Sequence, residues 1–157
     1  MASSTKFNLR TRPSLKNLLA RNQKRAGSLK KLEKPHGRIA VLLDRWVQTN
    51  FRTEGKNVGG WAPFARGGRR LKDGSIDTSA KLLQDTGRLR SSFLPFHSKR
   101  DAGIGSDLPY AKDHDEGLGK RLPQRRLLPK TNEVFKDIKE IYDNFIDENL
   151  RVEGEER

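Results

Sequence analysis

The most constraining feature of this 157-residue chain is a pair of stretches in which apolar residues recur every three or four positions. The stretches are residues 39–51 and 134–146. This spacing places the apolar side chains on one face of a helix, so it predicts two long amphipathic helices. Thr131 or Asn132 is expected to cap the second helix. The predicted apolar face of that helix is formed by Val134, Phe135, Ile138, Ile141, Tyr142, Phe145 and Ile146.

Short segments between the two helices have the composition of β-strands. Residues 91–98 and 102–108 are joined by a short link, which predicts an antiparallel pair. Pro95 cannot donate a ladder hydrogen bond, so it favours a sheet edge or a bulge. Residues 110–116 predict a helical turn, and residues 122–128 an extended segment beside prolines. The predicted fold is therefore α+β, with a small antiparallel β-sheet packed with two long α-helices.

Residues 52–80 are polar and rich in glycine, with neither helical nor strand periodicity. A segment of this length without regular structure is usually a functional or partner-binding loop. Its Arg-Gly-Gly-Arg-Arg run beside aromatic residues has the character of single-stranded nucleic-acid binders. Because such runs usually repeat and this one does not, we favour a loop that is solvated or wraps a neighbouring subunit. Trp61 needs a pocket, which its own core or a neighbouring subunit can supply. The interface candidates of this loop are Trp61, Phe64, Arg66, Arg69 and Arg70.

The net charge of +13 is unevenly distributed along the chain. Residues 1–38 carry 11 Lys and Arg against one acid, whereas residues 131–157 carry 4 against 9. Such a chain can pair head to tail with copies of itself, or its basic end can reach another anionic surface. We therefore predict a basic N-terminal arm over residues 1–33, a domain over residues 34–150 and a charged tail over residues 151–157. The arm residues expected to contact DNA or a partner are Lys6, Arg10, Arg12, Lys16, Arg21, Lys24 and Arg25.

The composition excludes several classes of protein. Apolar residues make up 32% of the chain, so its core must be modest. No stretch approaches the length of about 20 apolar residues that a membrane span needs, and the basic N-terminus lacks the apolar stretch of a signal peptide. We therefore expect no membrane partner. The absence of cysteine excludes a disulfide framework and fits synthesis in a reducing cytoplasm.

Two polar motifs contain the residue types of a catalytic site or a metal site. Asp85, Thr86 and Gly87 form the triplet that also occurs in aspartic proteases, but the chain has no second triplet, so we interpret it as a structural turn. His114 lies between acids, yet consecutive residues on a helix point in different directions, which disfavours a metal site. We predict no catalytic residue, no metal and no cofactor.

A third group of interface candidates lies in the extended segment near the second helix. These are Arg121, Arg125 and Arg126. They are expected to pair with acids of an adjacent protein, including the acidic C-terminal part of another copy, or to face DNA.

The order of these motifs resembles the virion-morphogenesis or tail-completion family of tailed bacteriophages. The resemblance runs from about Trp46 to Pro129 and rests on residues 82–92, 104–111 and 122–126. It also includes Trp61 after a pair of glycines, and His114 with Gly117. The first 38 residues depart from the family pattern, since they are longer and more basic.

The resemblance implies a non-enzymatic structural protein of α+β fold. Its copies would form a ring at the neck of the virion, complete the tail and join it to the head connector around the DNA channel. The implied partners are further copies, portal-proximal connector proteins, tail-terminator or tail-tube proteins and DNA in the channel. The alternative from the residues is a nucleic-acid-binding protein that uses the basic arm and the Arg-rich loop, and its affinity would fall steeply with salt.

Overall fold

A computed structural model describes residues 31–118 and 122–151, together with the isolated positions 23 and 27. The predicted arm residues Lys6, Arg10, Arg12, Lys16, Arg21, Lys24 and Arg25 lie outside the described residues, as does Arg121. The helices are α1 (Glu33–Arg52), α2 (Arg88–Ser91), α3 (Pro109–Glu116) and α4 (Thr131–Arg151), with a short 3-10 helix at Lys56–Val58. The strands are β1 (Arg69–Arg70), β2 (Ile76–Asp77), β3 (Phe93–His97) and β4 (Ala102–Ser106). The α+β prediction is confirmed.

Helix α1 ends at a turn that only glycine fits easily. Gly55 has a φ of 85°, and its N–H donates to the carbonyl oxygen of Asn50 at 2.9 Å. A Cβ at this position would lie 2.3 Å from Cδ1 of Trp61. The backbone therefore turns directly against the indole ring, which brings the loop after α1 back onto the core.

Strands β3 and β4 form the predicted antiparallel hairpin, with Phe93 opposite Ser106 and His97 opposite Ala102. Phe93 is buried, while the next residue, Leu94, faces the opposite side of the strand and is exposed. Helix α1 packs against both strands, and the imidazole Nδ1–H of His36 donates to the carbonyl oxygen of Ser98 at 2.7 Å.

A second sheet lies within the segment that we predicted to be without regular structure. Strands β1 and β2 pair antiparallel, with Arg69 opposite Asp77 and Arg70 opposite Ile76. Strands of two residues are too short to show an alternating pattern, so periodicity could not have revealed them. The domain thus has two small sheets rather than one.

The core lies where α1, the loop after it and the hairpin meet. The Phe51 ring contacts the Trp61 ring edge-on, with centroids 5.3 Å apart, and the Phe93 ring at 5.9 Å. The buried residues of the cluster are Val47, Phe51, Trp61, Leu82, Leu89, Phe93, Ala111 and Leu127.

Helix α4 packs against α1, but its apolar stripe is only partly covered. Val134 and Phe145 are buried, whereas Phe135 and Ile146 are exposed. The helix begins at Thr131, and Glu133 accepts a hydrogen bond from the N–H of Lys130 at 2.9 Å. The capping position is therefore Lys130 and not Thr131 or Asn132. Among the described residues, no helix combines the length and apolarity that crossing a membrane requires.

Candidate interaction site

The segment of residues 122–130 has no strand partner, and side chains from other elements hold it in place. The carbonyl oxygen of Arg126 accepts two hydrogen bonds at 2.9 Å, from Asn50 Nδ2 and from Trp61 Nε1. The carboxylate of Asp115 accepts the N–H groups of Leu127 and Leu128 at 2.6 and 3.0 Å. A segment without ladder hydrogen bonds is thus fixed through its own backbone groups.

Trp61 occupies a pocket in its own core. The indole is buried beside Phe51, and its N–H has the carbonyl oxygen of Arg126 as acceptor. Of the two pockets that the sequence allowed, Trp61 therefore occupies the one in its own core and not one in a neighbouring subunit. A buried indole is not available for direct contact with a partner.

Arg125 also points into the fold and not toward a partner. Arg125 is only 8% exposed. Its guanidinium donates hydrogen bonds to the carbonyl oxygens of Ala62 at 2.9 Å and of Pro63 at 3.3 Å. Burial lowers the pKa of Arg125 from its ordinary value. The expectation that this arginine pairs with acids of an adjacent protein or faces DNA is therefore corrected, because its donors bind the chain's own loop.

Arg126 makes an ion pair within the chain. Its guanidinium lies 2.5 Å from the carboxylate of Glu133 at the start of α4. Burial would raise the pKa of Glu133, but hydrogen bonds from Lys130 and Arg126 outweigh it and hold that pKa below its ordinary value. The pair links residues 122–130 to α4.

Three motifs that are far apart in the sequence line one surface cavity of about 240 Å³. The loop after α1 contributes Phe64 and Arg69, and α3 contributes Tyr110 and His114. The third motif is the Asp-Thr-Gly turn. We name this space the loop cavity; its lining residues are Phe64, Arg69, Lys81, Leu83, Asp85, Thr86, Gly87, Arg88, Leu89, Tyr110 and His114.

The Asp-Thr-Gly triplet forms a turn on the wall of the loop cavity. Gly87 has a φ of 73° and precedes the short helix α2, and the hydroxyl of Thr86 accepts a hydrogen bond from the N–H of Arg88 at 3.3 Å. The carboxylate of Asp85 pairs with the guanidinium of Arg69, and within the described part of the chain it accepts no backbone N–H. Thr86 and Gly87 thus form a turn before α2, and a purely structural role for the triplet stays a prediction.

The three arginines of the loop differ in their surroundings. Arg69 also lies 3.5 Å from the carboxylate of Asp77, so two acids neutralise it. Arg66 and Arg70 are exposed. The cationic surface that the sequence suggested for this loop is therefore carried by Arg66 and Arg70.

His114 is half-buried at the loop cavity. Its Nδ1 is buried and has no hydrogen-bond partner among the described residues. Burial lowers the pKa of His114, and the nearby Arg125 lowers it further, against the opposing effect of Asp113. Within residues 31–118 and 122–151, no group of His and acidic residues is placed to hold a metal ion.

The lowered pKa of His114 predicts a stability that depends on pH. Because the folded state binds the proton less readily than the unfolded state, this contribution to stability is present above the ordinary pKa of 6.5 and is lost as the pH falls below it. We expect the free energy of unfolding to decrease between about pH 7 and pH 5, and to decrease less in His114→Gln. Urea unfolding at several pH values measures this. Parallel pH dependences in the two proteins would contradict it.

Two residues of the site, Asn50 and Asp115, were not predicted from the sequence. Asn50 lies on the apolar face of α1, three residues after Val47. That position indicates a buried side-chain amide, and a buried amide needs a hydrogen-bond partner. Asp115 carried no such signal, because its acceptor role depends on residues 127 and 128 folding beside it.

The fold and the site define a small α+β domain in which three motifs line one surface cavity. The model of the phage virion morphogenesis family matches residues 12–147, and the chain therefore belongs to that family. The match extends beyond the resemblance seen in the sequence and includes most of the stretch that we assigned to an arm outside the family pattern. No curated protein and no solved structure matches the chain significantly. Membership of this family supports a structural or assembly role in a phage virion.

Proposed function

We propose that the protein forms a ring at the head–tail junction of the virion, where it completes the tail and joins it to the head connector around the DNA channel. The observation that carries the proposal is the family match over residues 12–147. The partners in this proposal are further copies of the chain, a portal-proximal connector protein, and a tail-terminator or tail-tube protein.

The exposed apolar side chains support assembly into a ring. They include Leu94 and Phe96 on the hairpin, and Phe135 and Ile146 on α4. A ring needs a heterologous contact, in which two different patches of each subunit meet. The chain offers apolar patches on two different elements, as this arrangement requires.

The uneven charge gives a second argument for a directional contact. Residues 131–157 carry a net charge of −5, while the remainder of the chain is strongly basic. In a head-to-tail arrangement, surfaces of opposite sign meet at every joint, which favours one orientation over the reverse.

Deletion of the gene tests the proposed position. We expect the lysate to contain DNA-filled heads and separate tails, because the deletion removes the joint and leaves both halves able to assemble. Electron microscopy of negatively stained particles gives the result, and a plasmid copy of the gene should restore joined particles. Normal joined particles in the deletion lysate would refute the proposal, and empty heads without packaged DNA would assign the protein to an earlier step.

A further inference from the structure

The outer side of the β3–β4 hairpin is an uncovered apolar surface. Leu94 is 68% exposed and Phe96 is 56% exposed, and their partners on β4 are Gly105 and Gly103. The Phe96 ring lies over Gly103, where a Cβ would be 2.5 Å from the ring Cζ. No side chain from β4 covers Leu94 or Phe96. We call these four residues the hairpin face.

A second uncovered apolar surface runs along one side of α4. Phe135 is 60% exposed and Ile146 is 41% exposed. Tyr142 lies on the same side of the helix, because positions 7 and 11 residues after Phe135 fall on one helical stripe. The Tyr142 ring meets the His36 ring of α1 edge-on at 6.1 Å and is half-buried. We call these three residues of α4 the helix flank.

We propose that the hairpin face of one copy packs on the helix flank of the next copy, and that this contact closes the ring. The inference rests on the proposed function, since it names the contact that the ring uses. Helix α1 packs against both the hairpin and α4, so the two patches of one copy belong to elements that α1 separates. A twofold contact of hairpin face with hairpin face would leave the helix flank in water.

Charge favours the helix flank as the occupant of the hairpin face. The hairpin turn carries the exposed residues Lys99, Arg100 and Asp101, so its net charge is +1. Helix α4 carries six acidic against three basic residues, and its exposed Glu140 and Asp147 form no ion pair within the described part of the chain. Packing the hairpin on α4 brings the two basic side chains to an acidic helix, and this complementarity gives the contact one orientation.

The absence of cysteine from the chain makes crosslinking a direct test. Phage particles are assembled with the double variant Phe96→Cys/Phe135→Cys, treated with a short bis-maleimide and analysed on a denaturing gel. We expect a ladder of dimers and higher multimers of the chain. The matched control Val41→Cys/Phe135→Cys moves one thiol to an exposed apolar position on α1, where Val41 is 57% exposed, and should remain a monomer.

The single variants separate this contact from its alternatives. Crosslinks within Phe96→Cys particles or within Phe135→Cys particles would indicate a twofold contact and overturn the proposal. The pair Leu94→Cys/Ile146→Cys repeats the experiment in case the aromatic residues are needed for incorporation. If the protein is present in the neck and neither double variant crosslinks, the contact is wrong although the function stands. If the unsubstituted protein is itself absent from the neck, the proposed function fails first.

Discussion

Replacing Gly55 by alanine is expected to lower the free energy of unfolding by about 2–6 kcal/mol. Two costs add at this position. The φ of 85° strains any residue with a Cβ, and that Cβ would lie 2.3 Å from the buried Trp61 ring. The ring cannot move aside without losing its contact with Phe51 and its hydrogen bond to Arg126. Urea unfolding followed by tryptophan fluorescence measures the loss.

Gly59→Ala is the matched control for this prediction. Gly59 has a φ of 90°, close to that of Gly55, but no heavy atom would lie within 4 Å of its Cβ. It should therefore show the backbone cost alone, about 1–3 kcal/mol. If the two variants lose equal stability, the contact with Trp61 contributes nothing, and the explanation of the turn is wrong.

Replacing Arg125 by alanine should cost about 2–4 kcal/mol, although arginine is usually a surface residue. The substitution removes two charged hydrogen bonds to Ala62 and Pro63 and leaves their carbonyl oxygens without those donors. Arg126→Ala is the control, because it removes only the partly exposed pair with Glu133, whose worth is about 1 kcal/mol or less. Equal losses in the two variants would contradict the internal role of Arg125.

A second measurement separates this role from general damage to the fold. Arg125 is one of the causes of the low pKa of His114. In Arg125→Ala, the pKa of His114 should rise toward its ordinary value, whereas in Arg126→Ala it should stay unchanged. Titration of the imidazole protons by NMR gives both values.

The sequence predicted the elements whose residues repeat with a period. Helices α1 and α4 were predicted from apolar spacing, because each buries one face along several turns. The β3–β4 hairpin was predicted from the composition of its two segments and the short link between them. The partial exposure of α4 could not be predicted, because periodicity identifies an apolar face without showing how much of it another element covers. Strands β1 and β2 were missed because two residues contain no period.

Several residues that line the loop cavity were predicted from the sequence, but the cavity itself was not. Phe64, the Asp-Thr-Gly turn and His114 were each singled out from the sequence, but nothing in their spacing showed that they line one space. Arg125 was assigned to a partner because a charged residue in a polar segment is usually exposed, and the pocket of Trp61 was left open between its own core and a neighbouring subunit. Both were turned inward by contacts with residues more than 60 positions away, which local patterns cannot encode.

The hydrogen bonds to Arg126 also set the earliest point during synthesis at which the aromatic core can be completed. Arg126 follows Asn50 by 76 residues and Trp61 by 65, and the fully buried Leu127 is the next residue. A chain that leaves the ribosome N-terminus first therefore exposes Phe51 and Trp61 before their last core neighbour has been made. The nascent domain stays incomplete until residues 122–130 emerge, so a chain truncated within that segment would present an open aromatic core to other proteins.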